Sequence, residues 1–184
     1  MNRAALLLLT ATATAGALDF RPVVIENIGE GGRYRYLQFR DEGRAVTYMP
    51  PKAWTFHGDA ARFCLTVPQT TGVEIDISAV TTTAPMPVEA ANVSAFVELA
   101  RQALPAEATK VEKVAASFNP LILDGHATVE VIFDYVIFGG PLRVSQLYAA
   151  RGEGLVCFRV VARPADFDRL HETFRLSLHS FAGL

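Results

Sequence analysis

The chain has 184 residues, 51% hydrophobic and 20% charged, which suits one domain with a core of its own. Its formal charge of −2 at pH 7 argues against a nucleic-acid partner, which demands a basic face, and against strong adsorption to anionic lipid. Mean hydropathy is +0.23, slightly apolar for a soluble protein, and the first residues supply part of that.

Those first residues, MNRAALLLLTATATAGA, have the three parts of a secretory signal. Arg3 gives the positive start, Ala4 to Leu9 the short apolar run, and Ala15-Gly16-Ala17 the small-x-small pattern of a cleavage site. Cleavage is expected between Ala17 and Leu18, so that residues 1–17 are a signal and residues 18–184 a single domain. Loss of Arg3 takes the formal charge from −2 to −3. The apolar run is too short to span a bilayer, and no later segment reaches the roughly 18 uninterrupted apolar residues that a spanning helix needs. No Cys follows the run, so a lipid anchor is not indicated. The expected location is the periplasm or the outside of the cell, with no stable membrane insertion after cleavage.

FRPVVIENIGEGG (20–32) reads as a short apolar run and a Gly-rich turn. RYRYLQFR (33–40) reads as a strand, DEG (41–43) as a turn, and RAVTYM (44–49) as its antiparallel return. Pro50 and Pro51 stop that strand because neither can donate to a ladder. WTFHG and ARFCLTV are two further strands around Gly58-Asp59. In GVEIDISAVTTT (72–83), Val73, Ile75 and Ile77 alternate with Glu74, Asp76 and Ser78, the pattern of a half-buried strand. Pro85 and Pro87 introduce a helix on which Val93, Phe96, Val97, Ala100 and Leu104 form one apolar stripe, and Pro105 ends it. KVEKVAASF, ATVEVIFDYVIF, RVSQLYAAR and LVCFRVVAR then form a meander. Its connections are Asp124-Gly125, Gly139-Gly140-Pro141 and Gly152-Glu153-Gly154. The last helix opens at Pro164 with Asp166 and Asp168 at the positive end of its dipole. It buries Phe167, Leu170, Phe174, Leu178 and Phe181, and Gly183 is placed to stop it. Strands, helix, strands and helix without a βαβ rhythm predict α+β with a mostly antiparallel sheet flanked by a central and a C-terminal helix.

This order, with VTYMPPKAW (46–54) and the closing DFDRLHETFRLSLHSF, resembles the PsbP-like family. In that family a strand runs into a Pro-containing turn ahead of a Trp, as Tyr48, Pro50, Pro51 and Trp54 do here, and a closing amphipathic helix ends near a Ser-Phe, as at Ser180-Phe181. The resemblance covers residues 44–182. It implies helices packed around an antiparallel sheet. The fold is shared by the extrinsic photosystem II protein, a Ran-binding import factor and bacterial envelope proteins, which as a class bind or assist other proteins. A signal peptide argues against nuclear import.

Chemical motifs are sparse. His57, His126, His171 and His179 are scattered, with no CxxC or HExxH, so neither a metal site nor a cofactor is expected, and His171 reads as a packing residue beside Phe167. No GxSxG elbow is present, and Ser145, His126 and Asp134 are an arbitrary trio, so no catalytic residue is assigned. GEGGR (29–33) lacks the Lys-Ser/Thr of a phosphate loop and reads as a hairpin turn. Glu74 and Asp76 share a strand face, read as solvated. Cys64 and Cys157 have matching alternation with Arg62 and Arg159, which points them toward similar faces of a sheet; they are a candidate disulfide, which would stabilise by about 4–5 kcal/mol through chain entropy, or else two buried thiols. Arg33, Tyr34, Arg35, Tyr36 and Trp54 are candidate interface residues, and Trp54 otherwise a half-buried anchor of the sheet. The expected role is an exported, non-catalytic binding or accessory protein of the cell envelope, with another envelope protein as partner. The alternative is a small-molecule or lipid carrier with a cavity between sheet and helix, and a hydrolase ranks behind both.

Overall fold

The computed structural model describes residues 18–29, 32–41 and 43–184, and the side chains of 28–34 fall outside that description. The expected signal, residues 1–17, lies outside the described residues. Three strands come first: β1 (Asp19–Gly29), β2 (Gly32–Asp41) and β3 (Arg44–Tyr48), an antiparallel sheet in that order. Gly29 pairs with Gly32, so β1 and β2 are the arms of one hairpin, and Glu30 and Gly31 between them lie outside the described residues. Alternation sends Leu37 and Phe39 of β2 and their neighbours Val46 and Tyr48 of β3 inward, all fully buried.

Seven strands make the second sheet. They are β4 (Thr55–Gly58), β5 (Arg62–Thr66), β6 (Glu74–Val80), β7 (Thr109–Phe118), β8 (Thr128–Ile137), β9 (Gly140–Arg151) and β10 (Gly154–Ala162), ordered β4-β5-β6-β10-β9-β8-β7 with antiparallel pairings. The meander β7 to β10 forms by short hairpins, and β10 then pairs with β6 across the excursion through helix α1 (Val93–Gln102). Helix α2 (Pro164–Leu178) follows β10 directly. The architecture is the α+β class expected: a mostly antiparallel sheet, one central helix and one C-terminal helix.

The large sheet divides two cores. On one face Phe63, Ile75, Ile77, Phe158 and Val160 meet the small sheet and the α2 stripe of Phe167, Leu170, Phe174 and Leu178. On the other, Val129, Val131, Phe133 and Tyr135 of β8, with Tyr148 and Cys157, meet Phe96 and Ala100 of α1. Each fully buried side chain of this size contributes about 1.5–3 kcal/mol. Beside β1, a Cβ at Gly58 would collide with the Phe20 carbonyl, so only glycine lets β4 approach there.

VTYMPPKAW and Ser180-Phe181 meet in space. Tyr48 Oη is 2.8 Å from Ser177 Oγ, the Met49 N–H donates to Ser180 Oγ at 2.9 Å, and Thr47 exchanges backbone hydrogen bonds with Ala182. Phe181 packs at 5.8 Å from the Tyr48 ring and 5.0 Å from Phe158. Trp54 follows a turn closed by its N–H on the Pro51 carbonyl, and it is half-buried against the larger core, the anchor its position suggests. Two helix ends differ from expectation. α1 stops at Gln102, ahead of Pro105, with the Ala103 N–H donating to Leu99. α2 stops at Leu178 rather than at Gly183, because the chain turns there to reach β3. Gly183 (φ 92°) instead passes Ala45, whose carbonyl would sit 2.5 Å from an added Cβ.

Candidate functional site

The face of the large sheet next to α1 carries polar side chains in register. Row by row, His57, Cys64, Asp76, Arg159 and Gln146 lie opposite one another on β4, β5, β6, β10 and β9, and Arg62, Ser78, Cys157 and Tyr148 form the next row. Glu74 and Asp76 do share this face; Glu74 is exposed, as the alternation suggests, but Asp76 is not. Asp76 is only 4% exposed, because β5 and β10 flank β6 and the Arg159 side chain lies over it. Arg159 Nη1 donates to Glu74 Oε2 at 3.1 Å and to Asp76 Oδ2 at 3.2 Å. Burial pushes the Asp76 carboxyl above its ordinary range, and the charges of Arg159 and Arg62 only partly offset that.

Beside this cluster opens a cleft of about 490 Å³, between the loop at Pro105 that follows α1 and the sheet. Its polar floor is Tyr135 of β8 with Arg159 and Glu74, and Arg163 stands at its rim. Its apolar walls include Val73, Pro105, Ile137, Leu142 and Val161. Phe138 completes them from the β8–β9 turn, where it is 93% exposed. Ile137 pairs with Gly140, so Phe138 and Gly139 are a two-residue loop, and both have positive φ (48° and 79°). That is the conformation of a type I′ turn, whose first position favours Asn, Asp or Gly. A Phe there carries backbone strain of order 1–3 kcal/mol while its ring faces water.

A second polar cluster sits under α2. Ser145 Oγ donates to Glu130 Oε1 at 2.7 Å, His171 Nε2 lies 2.6 Å from the same oxygen, and Arg175 approaches Oε2 at 4.0 Å. Burial works to raise the Glu130 carboxyl, but the His171 and Ser145 hydrogen bonds with the nearby Arg175 charge hold it below its ordinary value. The carboxylate stands in the middle, so the serine proton points to Glu130 and not to the imidazole, which is not a nucleophile–base arrangement. His171 does stack on Phe167, 5.0 Å between ring centres, as its helical position predicted. Its bond to Glu130 was not legible. The signal was the placement of Glu130 on a strand with neighbours on both sides, where a carboxylate cannot be left without partners.

The trio Ser145, His126 and Asp134 does not assemble: Asp134 holds Arg143 in a bidentate pair at 2.7 and 2.8 Å, and the His126 backbone closes a turn with Leu123. The disulfide expectation is corrected. Cys64 and Cys157 do face the same way, but β6 runs between their strands and both thiols are free. Two strand spacings put them about 10 Å apart, beyond the reach of a bridge. Burial, with the Asp76 charge adding, pushes the Cys157 thiol up to about 12. Thiol titration of the folded protein should therefore find one reactive group, Cys64, with the second appearing only on unfolding; no thiol signal before reduction would contradict this. Of the candidate interface residues, Arg35 lies 5.6 Å over the Phe56 ring, while Tyr36 and Trp54 are half-buried. Strand alternation puts Arg35 and Tyr36 on opposite faces of β2, so they do not form one patch. The side chains of Arg33 and Tyr34 lie outside the description. Among the described residues no three His, Cys, Asp or Glu side chains could hold a metal ion, and no helix is long and apolar enough to cross a membrane.

The crystal structure of PA94 from Pseudomonas aeruginosa, a protein of unknown function and candidate regulator, superposes on 88% of this chain and 97% of its own, with 13% identity and a TM-score of 0.51. The two chains share a fold. The solution structure of a cyanobacterial PsbP (CyanoP) from Synechocystis sp. PCC 6803 aligns over 96% of this chain and 99% of its own, with 11% identity and a TM-score of 0.49. No protein-family model and no curated protein sequence matches the chain. The likeness to the Pseudomonas protein is one of architecture, and sites have to be argued from this chain's own residues.

Proposed function

We propose that this chain is an exported, non-catalytic binding protein, acting in the periplasm or outside the cell, and that it binds a small molecule in the cleft beside α1. The cleft carries this reading: about 490 Å³ in which apolar side chains meet Tyr135, Arg159 and Glu74 is a concavity of the size that ligand pockets have. Exposure of Phe138 at its mouth, at the cost of backbone strain, supports the same reading. The non-catalytic part is supported by the state of the buried nucleophiles. Ser145 is tied to a carboxylate and the Cys157 thiol is held protonated by burial. Export is supported by the signal-like first 17 residues. Leu18 is already fully buried, so cleavage ahead of it would leave every described residue in place.

The test is to purify the protein from its native envelope or medium, sequence its N-terminus and analyse solvent extracts by mass spectrometry. The expected result is a chain beginning at Leu18 with a low-mass compound that Phe138→Asp no longer retains. A cytosolic chain with residues 1–17 intact would sink the export reading. A stoichiometric protein partner with no small molecule would instead favour the accessory-protein role.

A further inference from the structure

Resting on the cleft as a ligand site, we propose that its ligand is an organic acid: a carboxylate on Arg159 and Tyr135 at the floor, with an aromatic or aliphatic tail against Ile137, Phe138 and Leu142.

Three observations lead there. The first is an unpartnered polar side chain. Tyr135 is 3% exposed, yet its hydroxyl makes no hydrogen bond within the described residues. No sealed side-chain nitrogen or oxygen among those residues lacks a partner, so the Tyr135 hydroxyl must open onto the cleft its side chain lines. The second is Arg159. Both its bonds to Glu74 and Asp76 use Nη1; Nε–H and the other amino group have no protein partner among the described residues and are not sealed, and Arg159 lines the cleft. The Glu74 carboxylate at the floor is already held by Arg159, and the polar groups left over, the Tyr135 hydroxyl and the remaining Arg159 N–H groups, can all donate to a carboxylate, which only accepts. The third is charge. Of the charged residues that line the cleft, two are guanidiniums, Arg159 and Arg163, and one is a carboxylate, Glu74, and Arg163 makes no ion pair among the described residues. One surplus positive charge selects an anion over a cation. Val73, Ile137, Phe138, Leu142 and Val161 supply apolar surface for a tail, and the cleft has room for one as large as a phenylpropyl group.

Isothermal titration calorimetry with 3-phenylpropanoate and its neutral isostere 3-phenylpropanamide tests the assignment. The acid should bind saturably at one site and at least about tenfold more tightly than the amide, as expected for hydrogen bonds to a charged acceptor. Tyr135→Phe should leave the melting temperature unchanged, since the hydroxyl has no protein partner, and weaken the acid about tenfold. Phe138→Ala should weaken acid and amide alike. Equal binding of acid and amide would overturn the anion assignment and leave the cleft as a ligand site. No saturable binding of either to the folded protein would overturn both. Unchanged acid affinity in Tyr135→Phe would overturn the floor geometry on which the inference stands.

Discussion

Phe63→Ala should lower the unfolding free energy by about 4–5 kcal/mol, the upper end of what removing a buried Phe costs. Phe63 is fully buried on β5, and its ring meets Phe39 at 5.1 Å, Tyr48 at 6.0 Å and Phe56 at 5.8 Å. The first two belong to the small sheet and the third to the edge of the large one, so one ring joins both sheets. Each aromatic pair adds about 0.5–1.5 kcal/mol beyond the area it buries. A domain of this size has roughly 5–15 kcal/mol in total, so the loss is about a quarter of it or more. Urea denaturation should show a lower midpoint at an unchanged slope. Phe118→Ala, at a ring 41% exposed on edge strand β7, should cost under about 1 kcal/mol. Similar losses at the two positions would mean that Phe63 does not join the sheets.

The second large effect is electrostatic. Glu130→Gln should destabilise the protein at pH 7 by about 2–4 kcal/mol, because removing one partner of a buried ion pair strands the other. Arg175 keeps part of its contact with water, which holds the figure below the top of that range. The pH dependence identifies the cause. Folding holds the Glu130 carboxyl below its ordinary 4.5, so its contribution is complete above pH 4.5 and is lost as pH falls through the lower folded value. Asp76 acts in the opposite sense. Its carboxyl is raised above 3.8 by burial, so ionising it opposes folding, and its share of stability declines as pH rises from about 3.8 through the raised value. In stability-against-pH curves, Glu130→Gln should flatten the acid limb and Asp76→Asn should steepen it. The same change of slope in both variants would refute these assignments.

The legible parts of the fold were those set by local period. β8 shows why: Val129, Val131, Phe133 and Tyr135 alternate, and all four are buried against α1. The α2 stripe from Phe167 to Leu178 was legible for the matching helical reason. Period says which face is apolar but not what covers the other. The polar side of β6 therefore reads as wet, although β10 inserts beside it and buries Asp76, and nothing in the period of β8 shows that α2 lies over Glu130. The disulfide failed for the same reason: alternation placed Cys64 and Cys157 on one face, and strand order, a nonlocal property, put β6 between them. The cleft was beyond sequence reading, because its lining comes from four separate stretches and its strongest signal, Phe138 at positive φ, is a backbone angle.

The junction of β3 with the end of α2 has a consequence for the order of events during synthesis. Met49 and Ser180 are 131 positions apart, and Tyr48 and Ser177 are 129 apart. A nascent chain translated as far as Leu170 already holds all ten strands, yet Thr47, Tyr48 and Met49 still lack these partners. The small sheet stays unlatched on that side until the closing helix has been made. Contacts of such long separation carry a large loop-closure cost and come late and slowly. Under the export proposed above, that delay keeps an open, transportable form available until translation is nearly complete.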